Sequence, residues 1–108
     1  MNKQKSAGAP AKKIRVYISG AITGKHDYMW QFAEAEKHLK SEGYAVANPA
    51  ALNSVMPEDS SHKDYMVICL DLLDLCDAIY MLPGWEESRG ANQEYGYALA
   101  KDKIILLG

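Results

Sequence analysis

Glu94 is the residue best placed to do chemistry. It follows an apolar run, Ala78 to Leu82, a break at Pro83-Gly84, and a polar loop ending Ser88-Arg89-Gly90-Ala91. The run is predicted as a buried strand, and Ala91 to Lys101 as a helix with Glu94 in its first turn. Small residues ahead of a helix leave backbone N–H groups free to meet an anion. Open α/β sheets bind ligands outside the carboxyl ends of their strands. A carboxylate and an anion cradle at Ser88, Gly90 and Ala91 are therefore expected side by side at the ligand edge. The helix dipole favours an ionised acid at that position, as a carboxylate nucleophile requires. An acid in a first turn also has a purely structural reading. The neighbouring Ser88, Gly90 and Ala91 are what favour function here.

A second candidate is Tyr17-Ile-Ser-Gly-Ala-Ile-Thr-Gly24. Gly20 there would let backbone approach a ligand closely, and Tyr17 or Thr23 offers a hydroxyl. The segment has neither the spacing of a dinucleotide fingerprint nor the lysine of a P-loop, so an ordinary glycine-containing turn explains it equally well. Trp85 either covers the edge of the core or stacks on a flat ligand. Asp77, which opens a strand, either bonds loop backbone or faces the pocket. His26 and His62 read as surface residues of loops.

These residues need a scaffold, and the hydrophobic pattern supplies one. Ile14 to Ser19 alternates and is β-branched, a first strand. Tyr28, Phe32, Ala35 and Leu39 recur at helical spacing, and Gly43 closes that helix. Tyr44 to Ala47 is a short second strand, stopped by Asn48-Pro49. Residues 50–62 read as a loop. Tyr65, Ile68, Cys69, Leu72, Leu73 and Cys76 stripe a second helix. The Ala78 strand, the Ala91 helix and a last strand, Lys103 to Leu107, complete a β-α-β-α-β-α-β order. Alternation of this kind implies a parallel sheet covered on both faces. The expectation is a Rossmann-like (flavodoxin-like) three-layer α/β sandwich with a four-stranded parallel sheet in the order 2-1-3-4.

Length and composition bound the rest. One domain is expected in 108 residues, spanning residues 14–108 after a disordered basic tail, Met1 to Lys13. Apolar residues make up 48% and the net charge is −2, so nothing favours a nucleic-acid polymer, which would need a basic face. No run approaches the ~20 apolar residues of a membrane span, and no signal peptide is visible. A cytoplasmic protein is expected. Cys69 and Cys76 would lie on one helix, roughly 10 Å apart at ~1.5 Å per residue, too far for a disulfide. His26, His38 and His62 are isolated from one another and from the cysteines, so no metal site is expected.

With these motifs in place, the chain resembles the nucleoside 2-deoxyribosyltransferase superfamily. Within it, the likeness is to a small, mostly uncharacterised bacterial and phage branch. The residues carrying the likeness are Tyr17 to Gly24, Asn48-Pro49-Ala50, and Cys76 through Glu94. The resemblance covers about residues 14–108. It implies that Glu94 attacks C1′ of a ribose or deoxyribose and expels the base, as in retaining glycosidases. Deoxyribosyltransferases acting on free nucleosides carry an acidic residue six positions before the glutamate. The related nucleoside 5′-monophosphate N-glycosidases have serine there, and this chain has Ser88. A hydroxyl with helix N–H groups holds a phosphate that a carboxylate would repel. The superfamily often carries an aspartate at the position of Cys69 to handle the departing base.

The expected activity is thus cleavage, or less favoured transfer, of the N-glycosidic bond of a nucleoside or 2′-deoxynucleoside 5′-monophosphate. Glu94 is the nucleophile and Tyr17 orients it. Ser19, Gly20, Ala21, Ile22, Ser88, Gly90 and Ala91 bind phosphate and sugar, with Asp77 and Trp85 also at the substrate. No cofactor is expected, and the partner is a small nucleotide or nucleoside. A homodimer or larger is expected, because the chain ends directly after its last strand and a neighbour would have to cover the ligand edge. The rival expectations are a non-catalytic nucleotide-binding or sensing module, and a partner-binding protein anchored by Trp85.

Overall fold

The computed structural model describes residues 12–108; the tail expected over Met1 to Lys13 thus lies almost entirely outside the described residues. The element order is β1 (Arg15–Ser19), α1 (Tyr28–Ser41), β2 (Ala45–Ala47), α2 (His62–Asp74), β3 (Ala78–Met81), α3 (Arg89–Ala100) and β4 (Ile104–Leu107). The strands form one sheet in the order β2-β1-β3-β4. All its pairings are parallel. The expected sheet and its strand order are therefore present.

Strand alternation builds the two faces. Successive side chains of a strand point to opposite sides, and β1 divides on that rule. Val16 and Ile18 pack with Phe32, Ala35 and Leu39 of α1. Tyr17 packs with Cys69 and Leu73 of α2 and with Ala91 and Ala98 of α3. Likewise Ala78 joins the α1 layer, while Ile79 and Met81 join the α2/α3 layer. One helix on one face and two on the other make the three-layer sandwich. β1 is sheathed on both sides, which is why it reads as an apolar run ending in one serine.

Local signals set the element ends. Gly43 follows the last turn of α1 at φ 96°, a left-handed conformation that only glycine adopts freely. Ser61 and Asp64 form a capping box at the start of α2: Asp64 N–H donates to Ser61 Oγ at 3.1 Å, and Ser61 N–H to Asp64 Oδ2 at 3.0 Å. Ser88 caps α3, its Oγ accepting from Ala91 N–H at 3.1 Å.

Four details differ from the sequence expectation. The segment expected as a loop after residue 50 begins with a 3₁₀ turn, Pro49–Ser54, capped by Asn48, whose Oδ1 accepts from Ala50 N–H at 3.0 Å. The buried stripe of α2 is Met66, Cys69 and Leu73, turned so that Ile68 is exposed. Cys76 lies beyond α2, whose C-cap is Leu75; it is buried in the turn into β3. Finally, α3 begins at Arg89 rather than Ala91 because Ser88 supplies the cap. Glu94 accordingly sits in the second turn, past the reach of the first-turn dipole.

Gly20, directly after β1, has a packing reason to be glycine. A Cβ there would lie 2.9 Å from Leu82 Cδ1 and 3.0 Å from Leu82 Cβ. Leu82 follows β3, and its N–H donates to Ser19 O at 2.8 Å, so the two strand ends are fixed against each other. Gly20→Ala should therefore cost about 1–3 kcal/mol, the usual range for overpacking a filled core. Chemical denaturation measures it; an unchanged midpoint would show that Leu82 yields freely.

Candidate active site

A cavity of about 590 Å³ opens at the carboxyl ends of β1 and β3, within the ~300–1,000 Å³ common for small-molecule sites. Its wall combines the turn after β1 (Gly20, Ala21, Ile22, Thr23), the start of α2 and the start of α3, with Glu94 at its base. The location follows from the fold. In a parallel sheet every strand delivers its following loop to the same edge, so the loops after β1 and β3 meet there.

Glu94 is 5% exposed. Both of its oxygens are engaged: Tyr17 O–H donates to Oε2 at 2.5 Å, and Ser19 O–H to Oε1 at 2.6 Å. The spacing of the two donors on β1 explains the clamp. Residues two apart on a strand share a face, so both hydroxyls point at the helix carrying Glu94. Burial raises the Glu94 pKa from its ordinary value, and the bonds from Ser19 and Tyr17 partly offset the shift. Burial, then the adjacent Glu94 carboxylate, push the Tyr17 hydroxyl well up. Tyr17 is thus a neutral donor, never a phenolate, at physiological pH. Cys69 lies against Tyr17, Tyr65 and Glu94, and burial raises its thiol to about 11. It too is neutral.

The expectation that a helix dipole keeps Glu94 ionised is corrected here. The residue lies a turn too deep in α3, and its charge depends on hydroxyl donors working against desolvation.

Of the residues singled out from sequence, Gly20, Ala21, Ile22, Ser88, Gly90, Ala91 and Glu94 line the cavity. Tyr17 and Ser19 lie beneath it and reach it through Glu94. Two do not belong. Asp77 precedes β3 and so sits at the amino edge of the sheet, where its Oδ2 accepts from Arg15 N–H at 2.9 Å. Its role is to tie the starts of β1 and β3 together. Trp85 packs on Tyr95, ring centroids 4.7 Å apart, and rests on the α2/α3 core layer. It covers the core edge, half-buried, and does not line this cavity.

The sequence reading missed Asn53, Ser60, Ser61, His62, Tyr65 and Arg89, which also line the cavity. The Ser61-x-x-Asp64 spacing was the available signal for the last loop before α2: it marks a helix start, and therefore a segment ending at a helix N-terminus. At the start of α3, the N–H groups of Arg89 and Gly90 have no acceptor among the described residues, since the first closing bonds run from Ala91 and Asn92 to Ser88. The Ser88 hydroxyl accepts from Ala91 and keeps its own hydrogen to donate. Together these groups can hold an anion. Among the described residues no cluster of His, Cys, Asp and Glu could hold a metal ion, and no helix is long and apolar enough to cross a membrane.

The same architecture occurs in known enzymes. A 2-deoxyribosyltransferase from the psychrotolerant bacterium Bacillus psychrosaccharolyticus is similar with a TM-score of 0.71 and 18% identity, over 86% of this chain and 70% of that one. A 2-deoxyribosyltransferase from Leishmania mexicana gives 0.65 and 20%, over 87% of this chain and 63% of that one. At these identities the likeness is one of fold. No curated protein matches the sequence significantly. A family model described as a domain of unknown function (DUF4406) matches residues 14–107, and the chain belongs to that family.

Proposed function

We propose that this protein cleaves the N-glycosidic bond of a nucleoside or 2′-deoxynucleoside 5′-monophosphate, with Glu94 as nucleophile. The observation that carries the reading is a buried carboxylate at the base of a cavity, aimed by two hydroxyls on one strand, beside an open helix N-terminus. The fold shared with two 2-deoxyribosyltransferases supports it. In the first step a Glu94 oxygen bonds to C1′ as the C1′–N bond breaks. The departing base keeps that electron pair and takes a proton from water. In the second, water attacks C1′, the ester opens, Glu94 is regenerated as a carboxylate, and the water's proton passes to solvent. A second base in place of water gives transfer. Tyr17 and Ser19 aim the carboxylate and disperse its charge. No cofactor takes part.

A second reading has an observation of its own. Both Glu94 oxygens are already bonded and burial favours the protonated form, as a structural acid in a non-catalytic nucleotide-binding module would show. Glu94→Gln separates the two. It should abolish base release from a mononucleotide panel while leaving nucleotide affinity nearly intact; undiminished turnover would exclude the nucleophile. The same variant reports on the charge. A buried acid with a raised pKa stabilises the fold below the ordinary carboxylate range, and that contribution is lost as pH rises through the raised value. Glu94→Gln should therefore melt above wild type at neutral pH, with the difference closing toward about pH 4. Wild-type activity should fall on the acid side through the same titration.

Phosphorylated substrates should be preferred. A hydrogen bond to a charged group contributes about 1.5–3 kcal/mol, which is roughly a tenfold to hundredfold preference for a monophosphate over its nucleoside. Ser88→Asp should erase it, because the new carboxylate repels phosphate at the start of α3. kcat/KM for the pair of substrates, in wild type and variant, decides this; equal values in wild type would refute it.

The active unit in this reading is a homodimer or larger. A sugar cation needs water excluded around it, and a neighbouring copy would close the cavity mouth. Light scattering at micromolar concentration should give at least twice 12.0 kDa. An active monomer would show that one chain builds the whole site.

A further inference from the structure

The two faces of the sheet are not covered alike. On one side α3 packs on β3 and β4, while on the other α1 packs on β1 and β2. The register across the strands shows what this leaves open. Val16, Ala78 and Ile104 are aligned partners on β1, β3 and β4, and alternation puts all three on the α1 face. Exposure rises along that row, from 0% at Val16 and 1% at Ala78 to 51% at Ile104. Ile14, two residues before Val16, continues the same face and is 45% exposed. In the next row Ile18 is buried, while Tyr80 and Leu106 are only partly so. Parallel sheets are ordinarily covered on both faces; here the helix on this face stands over β1 and β2 and leaves β4 open.

α1 itself has the form of what is missing. Its β2 side is marked by Glu36, whose Oε1 accepts from Asn48 Nδ2 at 2.9 Å and whose Oε2 pairs with Lys40 at 2.6 Å. Positions two away lie roughly 160° round a helix, so Glu34 and His38 are on the flank toward the gap. Lys37 and Trp30 point outward beside them, and Trp30 is 65% exposed. The side chains of Glu34, Lys37 and His38 are exposed and make no hydrogen bond or ion pair among the described residues. Their order along the helix is an acid, then a lysine and a histidine. Two such flanks laid antiparallel about a two-fold axis set each Glu34 against Lys37 and His38 of the other copy. The same alignment carries Trp30 of one copy level with the end of the other's α1. That end lies at the amino edge of the sheet, where Ile14 and Ile104 are exposed.

We propose that this surface is the interface with a second copy of the chain: α1 of each copy lies antiparallel beside the other's and covers the open half of its sheet, seating Trp30 on Ile14 and Ile104. The inference gives a face to the homodimer of the proposed function; it rests on that assembly and not on the glycosidic chemistry. A two-fold contact suits the surface because both of its halves, the uncovered strands and the helix that fits them, belong to one chain. The opposite signs of Glu34 and Lys37 fix the direction in which the helices pair.

Sedimentation velocity at micromolar concentration reads the assembly without substrate. Wild type should run as a dimer, at twice 12.0 kDa. Glu34→Lys and Lys37→Glu each bring like charges together twice, and each should weaken association roughly a hundredfold. The double variant Glu34→Lys/Lys37→Glu restores opposite signs and should recover most of the dimer. Trp30→Ala should weaken association at least about tenfold, as loss of a large interface aromatic does. Circular dichroism of each variant reports the fold separately from association. A monomeric wild type would overturn the proposal. So would a double variant no more dimeric than either single one, or a dimer indifferent to all of these changes. Base release by a monomeric wild type would end this interface and leave the glycosidase reading standing. A dimer that obeys the charge exchange and releases no base from any mononucleotide would do the reverse.

Discussion

The pairing of Glu94 with Tyr17 and Ser19 is the interaction on which the rest of this structure turns. Moving a carboxylate out of water costs several kcal/mol unless donors replace the lost hydration. Here the donors are hydroxyls, with no cation beside them among the described residues. They offset part of the cost and leave the acid with a raised pKa. The central strand consequently gives up apolar positions on its inner face to two polar side chains, and α3 must pack close enough for bonds of 2.5 and 2.6 Å. Ala91 and Ala98, small residues on the buried side of that helix, permit the approach. A larger side chain at Ala91 would push α3 off the sheet and strand the carboxylate.

The parallel sheet supplies the second constraint. Its crossovers return each strand in the same direction, so the ends of β1 and β3 finish together. Their contact is made rigid by the packing of Gly20 on Leu82 and by the bond from Leu82 N–H to Ser19 O. The sequence marks Gly20 as a place where a ligand can come near the backbone. It lines the cavity, and the closer contact is internal. The glycine serves the floor of the site by letting the two strand ends meet, which in turn fixes Ser19.

Most of the architecture was legible because it rests on periodicity. The alternation of Val16, Tyr17, Ile18 and Ser19 placed two faces on one strand, and the spacing of Phe32, Ala35 and Leu39 placed one helix against it. Element ends were less legible where side chains rather than hydrophobicity set them. Ser88 capping its own helix moved the start of α3 to Arg89, and with it Glu94 from the first turn to the second. Asn48 capping Pro49–Ser54 turned an expected loop into a helical turn. Pairwise packing was not legible at all. Nothing in the order of residues says that Trp85 will meet Tyr95, or that Asp77 will close on the backbone of Arg15, because both contacts depend on how the layers stack. The cavity residues from α2 were missed for the same reason: His62 and Tyr65 come to the site through the crossing of a helix, with no sequence proximity to the other groups.

The division between base and rim explains how such a cavity can hold one chemistry and differ in substrate. Groups at the base are buried, mutually bonded and electrostatically coupled, so changing Tyr17 or Ser19 leaves an unpaired polar atom on Glu94 and costs stability as well as reactivity. On the rim, the Asn53, His62 and Arg89 side chains are exposed and make no hydrogen bond among the described residues. Replacing Arg89 or Asn53 disturbs no internal bond among the described residues, and its effect falls on whatever the cavity holds. In the proposed reaction, binding energy from the rim would act at a distance from the reacting carbon and would serve the chemistry only by holding the ligand where Glu94 can reach it. The rigid junction of Gly20 and Leu82 supplies the connection. It ties the strand that holds Glu94 through Tyr17 and Ser19 to the loop that leads into the start of α3, so the base and the rim of the cavity are fixed relative to each other.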